Sequence, residues 1–265
     1  MIQSPSQRYA ISQAAVFRHT NDEFGGLSNM SKAFPLTVYG VRVRSSEHLY
    51  QMMRFSHRPN IQRAILAAAK PMAAKQVSRQ HDTFTRVDWL EVRVEIMRWA
   101  IAMKLAQHLD TFGSLLDATR DRPIVEYSRR DTFWGAEPDG PELLVGCNVL
   151  GRILMESRER FRHLDPSQLS MVDAAEHLGL HFLGLPLARL DHRRMPELPS
   201  LIDARDIYGL NLTSGQTAGM LTAYCRQQQL AGRIQSCQQA EELALEVAVQ
   251  IEQHESYTEN EHVRQ

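Results

Sequence analysis

The stretch WLEVRVEIMRWAIAMKLAQHL, residues 89–109, constrains the fold more than any other. Apolar Leu90, Val94, Met97 and Ile101 recur at spacings of three and four residues, which is the repeat of one helix face. A helix of that length runs about 30 Å, which makes it the longest helical stretch of the front region. The other elements read as short. FPLTVYGVRVRS, rich in Val and Thr, predicts two strands around Tyr39-Gly40. Ser45 or Ser46 then caps a helix running to about Phe55. HRPN breaks it. IQRAILAAAKPMAAKQVSRQ is helical in pattern, with Pro71 opening a second helix at its first turn. TFGSLLDATR predicts a short helix, RPIVEYS a buried strand, and DTFWGAEPDGPELLVGCNVLG a Gly- and Pro-rich loop. VLGRILMESRERFR predicts a closing helix.

DPSQ, residues 165–168, reads as a boundary. Beyond it HLGLHFLGL reads as part of a helix, MPELPSLIDARDIYG as a turn and short helix, and TAGMLTAYCRQQQLAG as a further helix. In SCQQAEELALEVAVQIEQH, Ser236 and Gln239 have capping-box spacing. Leu243, Val247 and Ile251 form an apolar stripe for the front region or for another subunit. The expected organisation is a flexible segment 1–14, a domain 15–164, a helical extension 165–254 and a flexible tail 255–265.

Several function classes are excluded by content. No run of eighteen apolar residues exists, so no membrane span is expected. The N-terminus lacks a basic segment followed by an apolar block, and Cys147, Cys225 and Cys237 form no CxxC pair. A reducing, cytoplasmic setting is expected. The 11 histidines include no HExxH; His177 and His181 lie four apart without a third ligand nearby, so no metal and no cofactor is expected. The first 165 residues carry a small basic excess and the remainder an acidic one, nearly cancelling to the net −1. A basic excess of that size helps to receive a phosphate-bearing ligand and does not by itself establish nucleic-acid binding.

Four segments carry candidate chemistry. In SSEHLYQMMRF, Glu47, Gln51 and Arg54 fall within about a third of the helix surface. They read either as a first-turn acid favoured by the helix dipole, with a surface arginine, or as a carboxylate beside a pocket, oriented by Gln51 and balanced by Arg54. In IVEYSRRDTFWG a strand ends at Glu126, and Asp131, Phe133, Trp134 and Gly135 follow. Acids beside aromatics suit sugar or base recognition, while an Asx turn at Asp131 and a core-filling Trp134 suit the same residues. In GCNVLGRILM, Asn148, Gly151 and Arg152 sit at a helix start, either an anion site or a plain glycine-flanked helix start. FGGLSNM contains Gly26 and Asn29, whose neighbourhood allows close backbone approach to a ligand or merely a turn.

Taken in order, FGGLSN, SSEHLYQMMRF, a tryptophan-headed helix, IVEYSRRDTFWG and GCNVLGRILMESR resemble the NADAR family, the NAD- and ADP-ribose-associated domain, over roughly residues 15–162. The resemblance implies a compact, mostly helical α+β domain with a few short strands. It implies hydrolysis of an N-glycosidic bond at a ribose carrying phosphate or ADP. Two substrate classes go with the family: phosphorylated riboflavin-synthesis intermediates, and ADP-ribose on guanine bases of nucleic acid, where the domain acts as an antitoxin. The mildly basic front region tilts the expectation toward the second. A non-catalytic ADP-ribose sensor with a C-terminal partner-binding region is the alternative.

The family pattern places Glu47 as the catalytic carboxylate, Asp131 and Lys104 as further catalytic candidates, and Gly26, Asn29, Gln51, Arg54, Trp89, Trp134, Gly135, Asn148, Gly151 and Arg152 as substrate-binding. Relatives commonly carry a lysine where this chain has Arg54. Arginine does not act as an amine nucleophile, so Lys104, seven residues after Met97, is the expected amine if one is needed. Expected partners are a ribosyl-phosphate or ADP-ribosylated substrate, nucleic acid where it carries that group, and a second copy or another protein through the C-terminal helices.

Overall fold

A computed structural model of the 265-residue chain describes residues 5–174, 176–187, 190–191, 200–210, 215–230 and 233–262. The first strand, β1 (Gln7–Ala10), is followed by β2 (Ala15–Phe17). A hairpin of β3 (Leu36–Val38) and β4 (Val41–Val43) turns through Tyr39 and Gly40, whose φ values are 47° and 75°. Two positive φ angles in a two-residue turn match the right-handed strand twist. Three short helices come next: α1 (Ser46–Met53), α2 (Pro59–Ala67) and α3 (Pro71–Gln80). The Ser45 hydroxyl accepts the His48 N–H and caps α1, and prolines occupy the first turns of α2 and α3.

The central α4 (Trp89–Gln107) packs against α1, α5 (Leu109–Ala118) and the later α6. Its apolar residues run round most of the helix, as burial on several sides demands, although Leu90 at the first turn is exposed. The chain then forms β5 (Ile124–Glu126), parallel to β2, then β6 (Glu137–Pro138) and β7 (Leu143–Gly146). The order in the largest sheet is β1-β7-β6, with Tyr9 opposite Leu144. Two expectations are corrected here. The stretch 131–151 is a loop only in part, and the segment 1–14 supplies β1. β1 pairs with β7 over a hundred residues away and so has no local signal, whereas β6 and β7 form a local hairpin inside a stretch whose Gly and Pro content reads as loop. Helix α6 (Val149–His163) closes the front region.

Asp165 starts the short helix α7 (Pro166–Leu169) with a capping box to Gln168. Next come β8 (Met171–Val172), a 3₁₀ turn at Glu176–Leu178, and a hairpin of β9 (His181–Phe182) and β10 (Leu185–Pro186). The hairpin replaces the helix expected for HLGLHFLGL: Leu183 and Gly184 take φ values of 53° and 95°, incompatible with a helix. β11 (Leu190–Asp191) pairs with β8, and α8 (Ala204–Gly209), α9 (Gly215–Leu230) and α10 (Cys237–His262) follow. α10 continues to His262, through most of the tail expected to be flexible; residues 263–265 lie outside the described residues.

The architecture is α+β and mostly helical, with several small sheets. One hydrophobic core joins the front region to the extension, from Ala15 through Met103 to Phe182, Leu221 and Ile251. Val247 and Ile251 of the predicted α10 stripe are buried in it, with Leu243 at its edge. Gln62 stitches the two regions: its Nε2 donates to Met52 O and His181 O, and its Oε1 accepts the Leu183 N–H at 2.6 Å. No helix among the described residues is long and apolar enough to cross a membrane.

Candidate active site

A cavity of ≈ 350 Å³ opens where α1, α3 and α4 meet the segment after β5. That volume suits a ligand of nucleotide size, at the small end of the roughly 300–1,000 Å³ common for ligand pockets. Its walls divide by chemistry. Glu47, Glu126 and Asp131 supply carboxyls; Lys75 and Arg79 of α3, with Arg54 and Arg93, supply cations; Tyr50, Trp89, Tyr127 and Trp134 supply rings.

The location of Glu47 follows from local structure. It occupies the first turn of α1 and is 5% exposed. Its N–H donates to Asn29 O, which ties the helix start to the FGGLSNM loop. The Asn29 side chain is fixed as well: Oδ1 accepts from the Ser46 hydroxyl and Nδ2 donates to Met97 Sδ. One turn along α1, Gln51 Nε2 donates to Glu47 Oε1 at 2.9 Å. Burial pushes the Glu47 carboxyl above the usual range, opposed by the nearby charge of Lys75, the Gln51 hydrogen bond and Arg79.

Glu126 ends β5 and faces the same cavity. Burial pushes its carboxyl up to about 7, and the negative charges of Glu47 and Asp131 push in the same direction. Burial thus disfavours the charged form of both carboxyls that line this cavity. The Gln51 hydrogen bond and the charge of Arg79 favour the charged form of Glu47, and the charge of Lys75 favours the charged form of both carboxyls. Asp131 lines the cavity too, but its Oδ1 accepts the Phe133 and Trp134 N–H groups, the Asx turn that the sequence also allowed.

The aromatic wall is a chain of ring contacts. Tyr50 stacks on Trp89 with centroids 5.0 Å apart and meets the Trp134 edge at 5.7 Å. The Arg54 guanidinium lies over Trp89 and pairs with Asp82, and it donates weakly to the Ser78 hydroxyl. Arg93 lies 3.9 Å over the Phe133 ring. Lys75 and Arg79, by contrast, have no ion-pair partner among the described residues and are separated by one helical turn on the cavity side of α3.

Asn29, Glu47, Gln51, Arg54, Trp89, Asp131 and Trp134 therefore share the cavity. The other candidates do not. Lys104 is fully buried, donating to Gly26 O and Ser28 O between the rings of Phe34 and Phe112. Burial lowers its pKa to about 7, yet no wall of the cavity contains it. Seven residues past Met97 is about 10 Å along the helix, which carries Lys104 behind the loop instead of into the pocket. Gly26 takes part only as one of those carbonyls. Asn148 adopts φ 48° and fastens α6 to β5 through Ile124 O and the Glu126 N–H.

Gly151 and Gly135 are packing glycines: a Cβ would come within 2.1 Å of Ile124 O and 2.5 Å of Glu126 O. Arg152 points to the N-terminal segment, donating to Pro5 O. Lys75, Arg79, Arg93 and Tyr50 went unrecognised. Lys75 and Arg79, four apart in a segment read only as helix, were the one available signal.

The NADAR domain family model matches residues 16–162, more than half of the chain. The chain belongs to the NADAR domain family. Relatives include riboflavin biosynthesis protein VVA0006 of Vibrio vulnificus, 35% identical over 62% of this chain and 43% of its own length. N-glycosidase YbiA of Escherichia coli is 34% identical over 54% of this chain and 86% of its own length. An NMR structure of E. coli YbiA aligns with 58% of this chain and 88% of that one, at 30% identity and a TM-score of 0.49. The family segment thus spans less than half of the Vibrio protein and ends where α6 ends. Residues beyond 162 lie outside the family match.

Proposed function

We propose that this NADAR chain is an N-glycosidase that hydrolyses the C–N bond of a phosphate-bearing ribosyl amine. The observation that carries the reading is that Glu47 and Glu126 line one cavity between an aromatic wall and the cations of α3; in this reading Glu126 holds the proton and Glu47 the negative charge. The relatives named N-glycosidase, at about 34% identity, support the reaction class. Relatives named for riboflavin biosynthesis support a phosphorylated intermediate of that synthesis as substrate, for which a phosphoribosylaminopyrimidine is the probe.

In this scheme the base stacks along Trp89 and Tyr50, and the phosphate meets Lys75 and Arg79. Glu126 gives its proton to the leaving nitrogen as the C–N bond breaks. Glu47 stabilises the positive charge that grows on the anomeric carbon and takes a proton from the attacking water. Water adds to the sugar, the amine leaves neutral, and the two carboxyls have exchanged protonation states. Asp131 lines the cavity and, with Oδ1 held in the turn, offers Oδ2 to a ribose hydroxyl in this scheme.

A second reading has its own observation. Four cations line the cavity, more than one monophosphate requires, which favours the diphosphate of ADP-ribose carried on a guanine base. Incubation with a phosphoribosylaminopyrimidine and with an ADP-ribosylated guanine oligonucleotide, read by mass spectrometry, separates the two. Free pyrimidine and ribose 5-phosphate support the first; ADP-ribose release alone transfers the assignment to the second. Release from neither overturns the N-glycosidase reading.

A further inference from the structure

The segment between α3 and α4 joins the extension to the cavity through one residue, Arg86. Its backbone is tied to both sides of the aromatic wall: the Arg86 N–H donates to Arg54 O, and Arg86 O accepts the Trp89 N–H. Arg54 and Trp89 both line the cavity. The guanidinium forks. Nε and Nη2 donate to the two oxygens of Asp88 at 2.6 and 2.8 Å, and Nη2 also donates to Leu178 O at 2.8 Å.

Asp88 is the residue before α4, and its carboxylate makes no capping bond to that helix. The start of α4 is therefore held through Arg86. Leu178 belongs to the 3₁₀ turn of the extension and is buried in the common core. His177 in the same turn pairs with Glu95 of α4 at 2.8 Å, a second tie to the helix that carries Trp89 and Arg93.

We propose that Arg86 is a positioning residue through which the C-terminal extension sets the aromatic wall of the cavity. The fork geometry requires arginine. A lysine ammonium is a compact point charge without the planar fork, so it does not reproduce the paired bonds to both Asp88 oxygens together with the bond to Leu178 O. The extension on this view is part of the binding apparatus of the front region, which makes substrate fit depend on residues beyond the family segment. Only the identity of the substrate rests on the N-glycosidase reading; the bridge itself does not.

The test uses the full chain and needs no ligand for its first arm. Indole N–H resonances of Trp89, Trp99 and Trp134 are assigned by tryptophan-to-phenylalanine replacement and followed in Arg86→Lys and Asp88→Asn. Arg86→Lys, which weakens both the Asp88 and the Leu178 arms, shifts or broadens Trp89 and leaves Trp99 in place, while Asp88→Asn, which cuts only the carboxylate arm and leaves Arg86 bonded to Leu178, shifts Trp89 less. Equal disturbance by both variants shows a local helix-start role and overturns the bridge, as does no disturbance by either. In the second arm, turnover of the phosphoribosylaminopyrimidine shows KM raised about tenfold in Arg86→Lys with kcat within twofold. Equal KM values for Arg86→Lys and the unaltered chain also overturn it. Absence of turnover in every variant, with the indole result intact, counts against the N-glycosidase reading and not the bridge.

Discussion

Replacing Glu126 by glutamine separates the cost of the site from its chemistry. The Glu126 carboxyl is pushed from 4.5 up to about 7, mainly by burial. Each pKa unit corresponds to about 1.4 kcal/mol, so ionising Glu126 in the folded state carries a penalty of about 3 kcal/mol. The carboxyl keeps partial contact with solvent through the cavity, which trims the figure to ~2 kcal/mol. The sign follows from proton counting. Below pH 4.5 the folded and unfolded chains both carry this proton. Between 4.5 and about 7 the folded chain keeps it while the unfolded chain loses it, so this contribution to stability falls as pH rises through that window. Glutamine has the same shape and does not titrate. Glu126→Gln is therefore expected to melt within a degree or so of the unaltered chain at pH 4.5. At pH 8 it is expected to melt roughly 4–8 °C higher, at about 2–4 °C per kcal/mol for a chain of this size. Thermal melts of both proteins from pH 4.5 to 8 read the difference directly. A gap that is constant with pH, or a variant less stable at pH 8, refutes the reasoning.

Glu47→Gln is expected to lower kcat about 10²–10⁴-fold with the fold retained, since Gln51 still finds an acceptor; circular dichroism and initial rates check both parts. Lys75→Met, which removes a cation without an ion-pair partner among the described residues, is expected to raise KM about 10-fold and to leave kcat within threefold, from steady-state kinetics over a substrate series. Borohydride added during turnover is expected to leave no adduct on Lys104, because the amine sits under the Gly26 and Ser28 carbonyls; a Lys104 adduct in peptide mass spectra would contradict its placement.

The legible parts of this fold are the local ones. Ser45, Pro71 and the Tyr39-Gly40 turn announce their elements because each acts through its own backbone within a few residues. The β1–β7 pairing carries no such signal, since its partners are joined only in the folded chain. HLGLHFLGL shows another failure. Its leucines at 178, 180, 183 and 185 with Phe182 look helical by density, whereas Gly179 and Gly184 interrupt the helix and the strands are only His181–Phe182 and Leu185–Pro186.

The site divides the same way. Glu47, Gln51 and Arg54 share a helix face and reach the cavity together. The resemblance to the family also pointed to Gly135, Asn148 and Gly151, whose positions serve packing: they let β5, α6 and the loop before β6 approach closely enough to place Glu126. Glu126 itself was visible as an acid at a strand end. Its role depends on the carboxyl across the cavity and on Lys75 and Arg79 from α3, relations that exist only once three helices have packed. In the sequence the apolar stripe of the extension is open to the front region or to another subunit. Val247, Ile251 and Phe182 lie in the core shared with the front region.

The claim that two carboxyls share one proton and divide the work is tested most directly by the pH dependence of kcat/KM for the phosphoribosylaminopyrimidine. The unaltered chain is expected to show a bell-shaped profile whose alkaline limb falls near pH 7, where Glu126 loses its proton. In Glu126→Gln the residual activity is expected to lose that limb and keep the acidic one. An alkaline limb that stands unchanged in the variant would contradict the assignment of Glu126 as the acid and with it the proposed division of roles.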